Sequence, residues 1–189
     1  MSDTLWFASG RLGSARVGRL LWLIVGLLLC SAGLGAAEDL RAGIRRDAAR
    51  CAAAWQREDY AAIGSSMPPR VVQQLGGRTA LTAELKGYFA EARKWGAERI
   101  EILPGQPSMP KPTGRWLTSL LPVTAVVHGA HAQLTQDTHV LALSSDQGKR
   151  WSFVPLYDVT AAELHTWFPE FKGKLAPPPT PTPRVKLVF

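Results

Sequence analysis

The chain has 189 residues, of which 46% are hydrophobic, and this is enough for one domain with an apolar core. Its net charge of +7 is spread along the sequence. Nucleic-acid binders instead gather their charge in a patch with aromatic residues beside it, so this spread argues against nucleic acid as a partner. Of the two cysteines, Cys30 lies in an N-terminal apolar run, which leaves Cys51 without a disulfide partner in the rest of the chain.

The first 37 residues have the order of a secretory signal. A basic region comes first, an apolar run follows over 20–29, and small residues end the segment at Gly35-Ala36-Ala37. We therefore predict that residues 1–37 are a signal peptide and that the chain is exported, as a periplasmic or secreted protein. The alternative is an uncleaved inner-membrane anchor over 20–37, the one contact with a membrane that we expect. The strongly apolar run is about half of the roughly 20 residues that a spanning helix needs.

Helical periodicity dominates the next part of the chain. Residues 39–57 predict an amphipathic helix whose apolar face carries Leu40, Ile44, Ala48, Cys51, Ala52 and Trp55. A short helix over 58–64 and a turn over 70–75, opened by Pro68-Pro69, follow. A long helix over 79–95, capped by Thr79, then places one set of apolar residues on one face: Leu81, Leu85, Tyr88, Phe89, Ala92 and Trp95.

After Gly96 the apolar residues recur with a period of two, which predicts strands at 99–102, 116–128, 139–145 and 150–157. Pro122 interrupts the second strand and indicates a bulge or an edge position. The last strand is predicted to place Trp151, Phe153 and Tyr157 on one face. A short helix over 160–167 follows, and the proline-rich stretch 177–183 is a stiff spacer before an end that frays or adds a weak strand.

Helices first and strands afterwards predict an α+β domain. We expect N-terminal helices packed on a curved antiparallel sheet of about four strands. This domain covers 38–170, and 171–189 is a proline-rich tail.

One local motif is more specific than the other patterns in the sequence. Residues 144–151 match the pattern S-x-D-x-G-x-x-W, which resembles the Asp-box of sialidases. The pattern predicts a hairpin in which Asp146 accepts amides of its own turn, Gly148 takes a positive φ and Trp151 packs beneath. A single copy in a short chain indicates a stable turn and does not indicate sugar cleavage.

The layout resembles the nuclear transport factor two-like superfamily, the cone fold of ketosteroid isomerases and SnoaL-like proteins. The resemblance covers roughly 39–168. It rests on the long first helix with Trp55, the phrase WQREDYAAI at 55–63, Gly76-Gly77, the next helix and the strands up to Trp151-Ser152-Phe153. It implies an exported bacterial member in which helices and sheet enclose a pocket, and a homodimer formed through the open sheet face. The superfamily holds enzymes, ligand binders and interaction domains, so the fold does not choose among them.

Candidate site residues follow from the predicted pocket. Its aromatic lining would come from Trp55, Tyr60, Tyr88, Phe89, Trp151 and Phe153. Candidate catalytic groups are Asp59, Tyr60 and His128. No aspartate lies in the middle of an apolar strand, where burial would raise its pKa for general-base work. His128, with His131 and His139, has the residue type of a zinc site but no nearby carboxylate to orient it, so we predict no metal and no cofactor.

Two functions are compatible with these residues. The first is non-catalytic binding of a small apolar ligand or of an envelope protein partner. The alternative is a cofactor-independent lyase, isomerase or hydrolase that uses polar residues of the cone cavity.

Overall fold

The computed structural model describes residues 37–187, and the predicted signal segment lies outside this range except for Ala37. The described residues belong to one compact unit. No helix within them is long and apolar enough to cross a membrane.

The described part of the chain begins with four helices. They are α1 over 37–56, α2 at Tyr60–Ser65, α3 at Pro69–Gln74 and α4 at Gly77–Lys94. The apolar face predicted for α1 is confirmed, because Ile44, Ala48 and Ala52 are buried. Helix α3 begins with a proline, as predicted, since the first helical turn needs no amide hydrogen from that residue.

Helix α4 differs from its prediction at both ends. Its N-cap is Gly76 at φ +85°, a left-handed conformation that glycine adopts without strain, so Thr79 lies inside the helix and is not the cap. Phe89 is buried as predicted, whereas Tyr88 is 51% exposed and Trp95 is 84% exposed. Trp95 is the C-cap, one residue past the helix, where the helical period no longer sets the direction of a side chain.

Within residues 37–187, six strands form one antiparallel sheet. They are β1 at Ala97–Pro104, β2 at Lys111–Thr113, β3 at Trp116–Gly129, β4 at Ala132–Ser144, β5 at Ser152–Pro155 and β6 at Arg184–Leu187. Four of them, in the order β1-β3-β4-β5, make a curled half-barrel, while β2 pairs with β3 and β6 pairs with β4. Helices packed against this sheet confirm the predicted α+β class, and β6 is the weak C-terminal strand.

Pro122 lies in a central strand, but at this point β3 has a paired strand on one side only, so the predicted edge position holds locally and no bulge forms. Pro122 pairs with His139 of β4 in regular register. Its carbonyl accepts the Gly105 amide at 2.8 Å. The nitrogen of a strand residue faces the same side as its carbonyl, and on that side β1 has already ended at Pro104. The missing N–H of Pro122 therefore costs no ladder hydrogen bond.

The C-terminal part folds back on the sheet. Helix α5 at Ala161–Trp167 confirms the predicted short helix, and Thr160 with Glu163 forms a capping box at its start. A 3₁₀ turn at Pro169–Phe171 follows. Tyr157 is 48% exposed, contrary to its predicted place beside Trp151 and Phe153, because β5 ends before it and the alternation of faces stops.

The core consists of three apolar clusters. The first lies under α5 and includes Leu141, Val154, Leu164, Phe168 and Phe171. The second joins α1 to the sheet through Ile44, Ala48, Leu121, Val123 and Phe153. The third joins the helices through Ala54, Ile63, Val72, Leu81 and Leu85.

Candidate functional site

A cavity of about 130 Å³ lies between α1 and the sheet, and we call it the apolar cavity. Alternate residues of β3 and β4 form its floor: Leu121, Val123, Ala125, Thr138 and Val140. Residues two apart in a strand point to the same face, so these side chains share the inner face of the sheet.

Helix α1 forms the roof of the apolar cavity. Its contribution comes from Ala48, Cys51, Ala52 and Trp55, at the three- and four-residue steps of one helix face. Three of these four side chains are small. The space remains open because alanine and cysteine do not reach the sheet as leucine or phenylalanine would.

Few polar atoms reach the apolar cavity. The Cys51 Sγ lies 3.1 Å from the Ser66 Oγ. The Ser66 hydroxyl donates to the Ile63 carbonyl at 2.7 Å. Burial raises the pKa of the Cys51 thiol, and contacts with Ser66 and Trp55 oppose this shift without reversing it. Cys51 is therefore a protonated thiol at neutral pH and acts as apolar lining.

A larger, open depression of about 1000 Å³ adjoins this cavity, and we call it the basic groove. Its cationic side chains come from α1, the start of α4 and the β4–β5 turn: Arg46, Arg50, Arg78, Lys149 and Arg150. Asp47 is the one carboxylate in its lining, at 2.9 Å from Arg46 and 3.4 Å from Arg50. The groove therefore carries a net positive charge.

The β4–β5 turn, residues 145–151, forms one wall of the groove and confirms the predicted hairpin. The Ser144 hydroxyl donates to Asp146 at 2.8 Å, and Asp146 accepts the Arg150 amide at 3.1 Å. These bonds, the Arg150 amide first, hold the pKa of Asp146 below its usual value although partial desolvation opposes them. Gly148 has φ +88°, and Trp151 is buried beneath the turn.

The structure disperses the six predicted lining residues. Trp55 and Phe153 line the apolar cavity, and Trp151 lies in the wall of the basic groove. Phe89 is buried beside Trp55, with ring centroids 5.7 Å apart. Tyr60 and Tyr88 pack around this pair, at centroid distances of 5.9 Å from Phe89 and 6.1 Å from Trp55 respectively.

The three candidate catalytic residues have partners outside the apolar cavity. Asp59 caps α2 by accepting the Ala62 amide at 2.9 Å. The Tyr60 hydroxyl donates to Glu58 at 2.9 Å, and desolvation followed by this carboxylate raises the pKa of Tyr60. The structure does not bring Asp59 or Tyr60 together with His128.

His128 lies on β3 beside the first strand. Its Nε2 is 3.2 Å from Glu101 and 3.2 Å from the guanidinium of Arg99, both on β1. His139 lies on β4 opposite Pro122. Across residues 37–187, no three His, Cys, Asp or Glu side chains are grouped as metal ligands.

A strip of apolar side chains is exposed away from the cavity. Tyr88, Trp95, Leu134 and Val185 line an open depression of about 530 Å³ beside the β3–β4 turn. The predicted homodimer and envelope partner stay predictions.

The basic groove was not predicted from the sequence. Its cations belong to segments that are separated by up to about a hundred residues, from Arg46 to Arg150. Two local patterns point toward it: Arg46 and Arg50 share one face of α1 at a four-residue step, and Lys149-Arg150 falls in a turn.

Comparison with protein-family models, with curated proteins and with solved structures finds no match to this chain. The apolar cavity and the basic groove are therefore the features from which a function can be inferred.

Proposed function

We propose that this chain is an exported, non-catalytic domain whose apolar cavity binds a small apolar ligand. The cavity of about 130 Å³ under α1 is the observation that supports it. A cavity of about 150 Å³ lined by aliphatic and aromatic side chains stays dry and takes up benzene. A ligand portion of about six carbon atoms is therefore the expected size.

The proposed location and family rest on the sequence patterns. The basic, apolar and small-residue order of 1–37 supports export to the periplasm or beyond. Helices followed by a curled sheet support membership of the nuclear transport factor two-like superfamily. The fold leaves function open, and the lining of the cavity is what favours binding.

The side chains around the cavity favour binding over catalysis. A cofactor-independent lyase or isomerase needs an acid or base within hydrogen-bond reach of its substrate. The side chains with an N–H, O–H or S–H group in the cavity lining are Cys51, Trp55, Ser66 and Thr138, none of which is ionised at neutral pH. The enzyme alternative requires Asp59, Tyr60 or His128 to leave the partners described above and enter the cavity.

The experiment is thermal unfolding of the purified protein with and without 1-hexanol, a six-carbon apolar probe. A ligand that binds only the folded state raises the melting temperature. At a free concentration of 100 times the Kd, it adds about 2.7 kcal/mol to the free energy of unfolding. We expect such a rise in the wild type. No rise with 1-hexanol or toluene would overturn the proposal.

A pair of variants locates the effect. Ala125→Leu adds a larger side chain on the floor of the cavity, and Ala132→Leu adds the same side chain at another half-buried strand position, outside the cavity lining. We expect the 1-hexanol shift to disappear in Ala125→Leu and to persist in Ala132→Leu. An equal shift in both variants would place the ligand elsewhere.

A further inference from the structure

The basic groove and the apolar cavity share a wall. Four residues line both of them: Cys51, Ser66, Met67 and Phe153. On α1 the boundary runs along Cys51, because Asp47 one turn earlier belongs to the groove, whereas Ala48 and Ala52 belong to the cavity. The end of the apolar cavity at these four residues therefore adjoins the groove.

Within residues 37–187, the groove holds more positive charge than the carboxylate of Asp47 balances. Arg46 and Arg50 share the carboxylate of Asp47. Among residues 37–187, the other three cations, Arg78, Lys149 and Arg150, have no carboxylate within ion-pair distance. A concave surface lined by one sign of charge concentrates ligands of the opposite sign.

We propose that the ligand of this site is a monomeric anionic amphiphile, with one short alkyl chain in the apolar cavity and a carboxylate or phosphate head group in the basic groove. This inference rests on the proposed function, because it takes the cavity as the place of the alkyl chain.

The dimensions select a single-chain molecule that is free in solution. A cavity of about 130 Å³ holds about six carbon atoms, by comparison with a benzene-binding cavity of similar volume. The two long chains of a bilayer lipid exceed this volume several-fold. The groove of about 1000 Å³ leaves ample room for a hydrated head group.

Recognition of the head group comes from the cations of the groove. The guanidinium of arginine presents paired donors that match a carboxylate or a phosphate. The Ser66 hydroxyl at the boundary already donates to the Ile63 carbonyl, and the half-buried Cys51 thiol favours an uncharged neighbour. Charge and apolar surface are thus separated along the site, as an amphiphile requires.

Three probes test the cavity and the groove separately and together. Each is titrated into the purified protein, and calorimetry measures its binding. 1-Hexanol tests the cavity alone, inorganic phosphate tests the groove alone, and hexyl phosphate tests both together. We expect hexyl phosphate to bind about tenfold or more tightly than 1-hexanol at low salt. We expect this advantage to fall as added salt shortens the Debye length from about 10 Å at 0.1 M to about 3 Å at 1 M.

Two double variants test the groove. Lys149→Gln with Arg150→Gln removes two unbalanced cations, while the hairpin bonds are made by backbone amides and by Asp146 and Ser144. We expect the affinity for hexyl phosphate to fall about fivefold to tenfold and the affinity for 1-hexanol to stay unchanged, since each exposed ion pair contributes modestly. Lys172→Gln with Lys174→Gln removes two exposed cations outside the groove and is expected to change neither affinity.

The outcomes separate the two proposals. If 1-hexanol does not bind, the proposed function itself fails. If 1-hexanol binds but hexyl phosphate binds no more tightly, the proposal of an anionic amphiphile is overturned and the apolar site stands. The same conclusion follows if both double variants weaken the binding of hexyl phosphate equally. Binding to phosphatidylglycerol vesicles that hexyl phosphate does not displace would identify a membrane surface as the target and would also overturn the inference.

Discussion

The carboxylate of Asp47 accepts the backbone amide of Trp151 at 3.1 Å, across a sequence separation of 104 residues. The same carboxylate pairs with Arg46, and its side chain is only 10% exposed. This contact fixes the middle of α1 to the start of β5. Because α1 is the roof of the apolar cavity, the bond adds to the apolar contacts that hold this roof against the sheet.

Replacing Asp47 tests this connection. Asp47→Ala leaves the Trp151 amide without its partner, and we expect a loss of about 1–3 kcal/mol in the free energy of unfolding by urea. Gln56→Ala, an exposed change on the same helix, is expected to stay within about 0.5 kcal/mol of the wild type. Equal stability of Asp47→Ala and the wild type would show that α1 is held in place by other contacts.

Two glycines are expected to respond to alanine in opposite directions. Gly148 has φ +88°, so Gly148→Ala is expected to lose about 1–2 kcal/mol, mainly from backbone strain, since the Leu40 methyl group that a Cβ would meet lies at the end of a side chain. Gly87 lies inside α4 with nothing near its Cβ position. Gly87→Ala is therefore expected to gain about 0.5–1 kcal/mol. Thermal unfolding measures both changes, and a stability of Gly148→Ala equal to or above that of the wild type would contradict the turn geometry.

The environment of Glu170, beside the apolar cluster under α5, predicts that the folded protein loses stability in acid. Burial opposes ionisation of this carboxyl, but the bond from the Trp116 indole at 2.8 Å, its own backbone amide and the nearby Arg70 and Arg115 outweigh burial and lower its pKa. A carboxyl whose pKa is lower in the folded protein than in the unfolded chain stabilises the folded state. This stabilisation is present above the unfolded pKa of about 4.5 and is lost as the pH falls through the folded pKa.

The measurement for Glu170 is urea unfolding at pH 7 and at about pH 3, the acid side of an ordinary glutamate pKa. We expect Glu170→Gln to lose less stability between these conditions than the wild type does. Glu84→Gln, exposed on α4, is the control and should follow the wild type. The same pH dependence in Glu170→Gln and the wild type would show that Glu170 does not contribute.

Cys51 offers a probe of the cavity wall. With Cys30→Ser as background, we expect a thiol reagent to modify Cys51 about tenfold or more slowly at pH 7 than an exposed cysteine, because burial raises its pKa and limits access. Ala83→Cys in a chain lacking both native cysteines supplies the exposed reference. 1-Hexanol is expected to slow Cys51 further and to leave the reference unchanged. Comparable rates at the two positions would contradict a buried thiol.

Local patterns in the sequence predicted local structure well. The apolar steps through Ile44 and Ala48 located α1, and Asp146 with Gly148 located the hairpin, because each pattern acts within a few residues. Pro122 indicated an edge position, but only the tertiary structure shows that this edge is local, at the point of a central strand where β1 has ended. Trp95 was predicted to lie on the apolar face of α4, but the helix ends one residue before it.

The site was predicted only in part. Trp55 and Phe153 follow from the resemblance and do line the cavity. The shared wall of cavity and groove requires the tertiary fold, since Cys51 and Phe153 meet there from opposite ends of the domain. The hydrophobic period of a single segment does not predict a contact between residues so far apart in the sequence.

The most direct test of ligand binding in the apolar cavity is a nuclear Overhauser measurement between bound 1-hexanol and methyl-labelled protein. We expect cross-peaks to the methyl groups of Leu121, Val123 and Val140, which form the cavity floor. Val71 and Val154, buried in the cluster under α5, should give none. Cross-peaks confined to methyl groups outside the cavity, or no cross-peaks at saturating 1-hexanol, would contradict binding beneath α1.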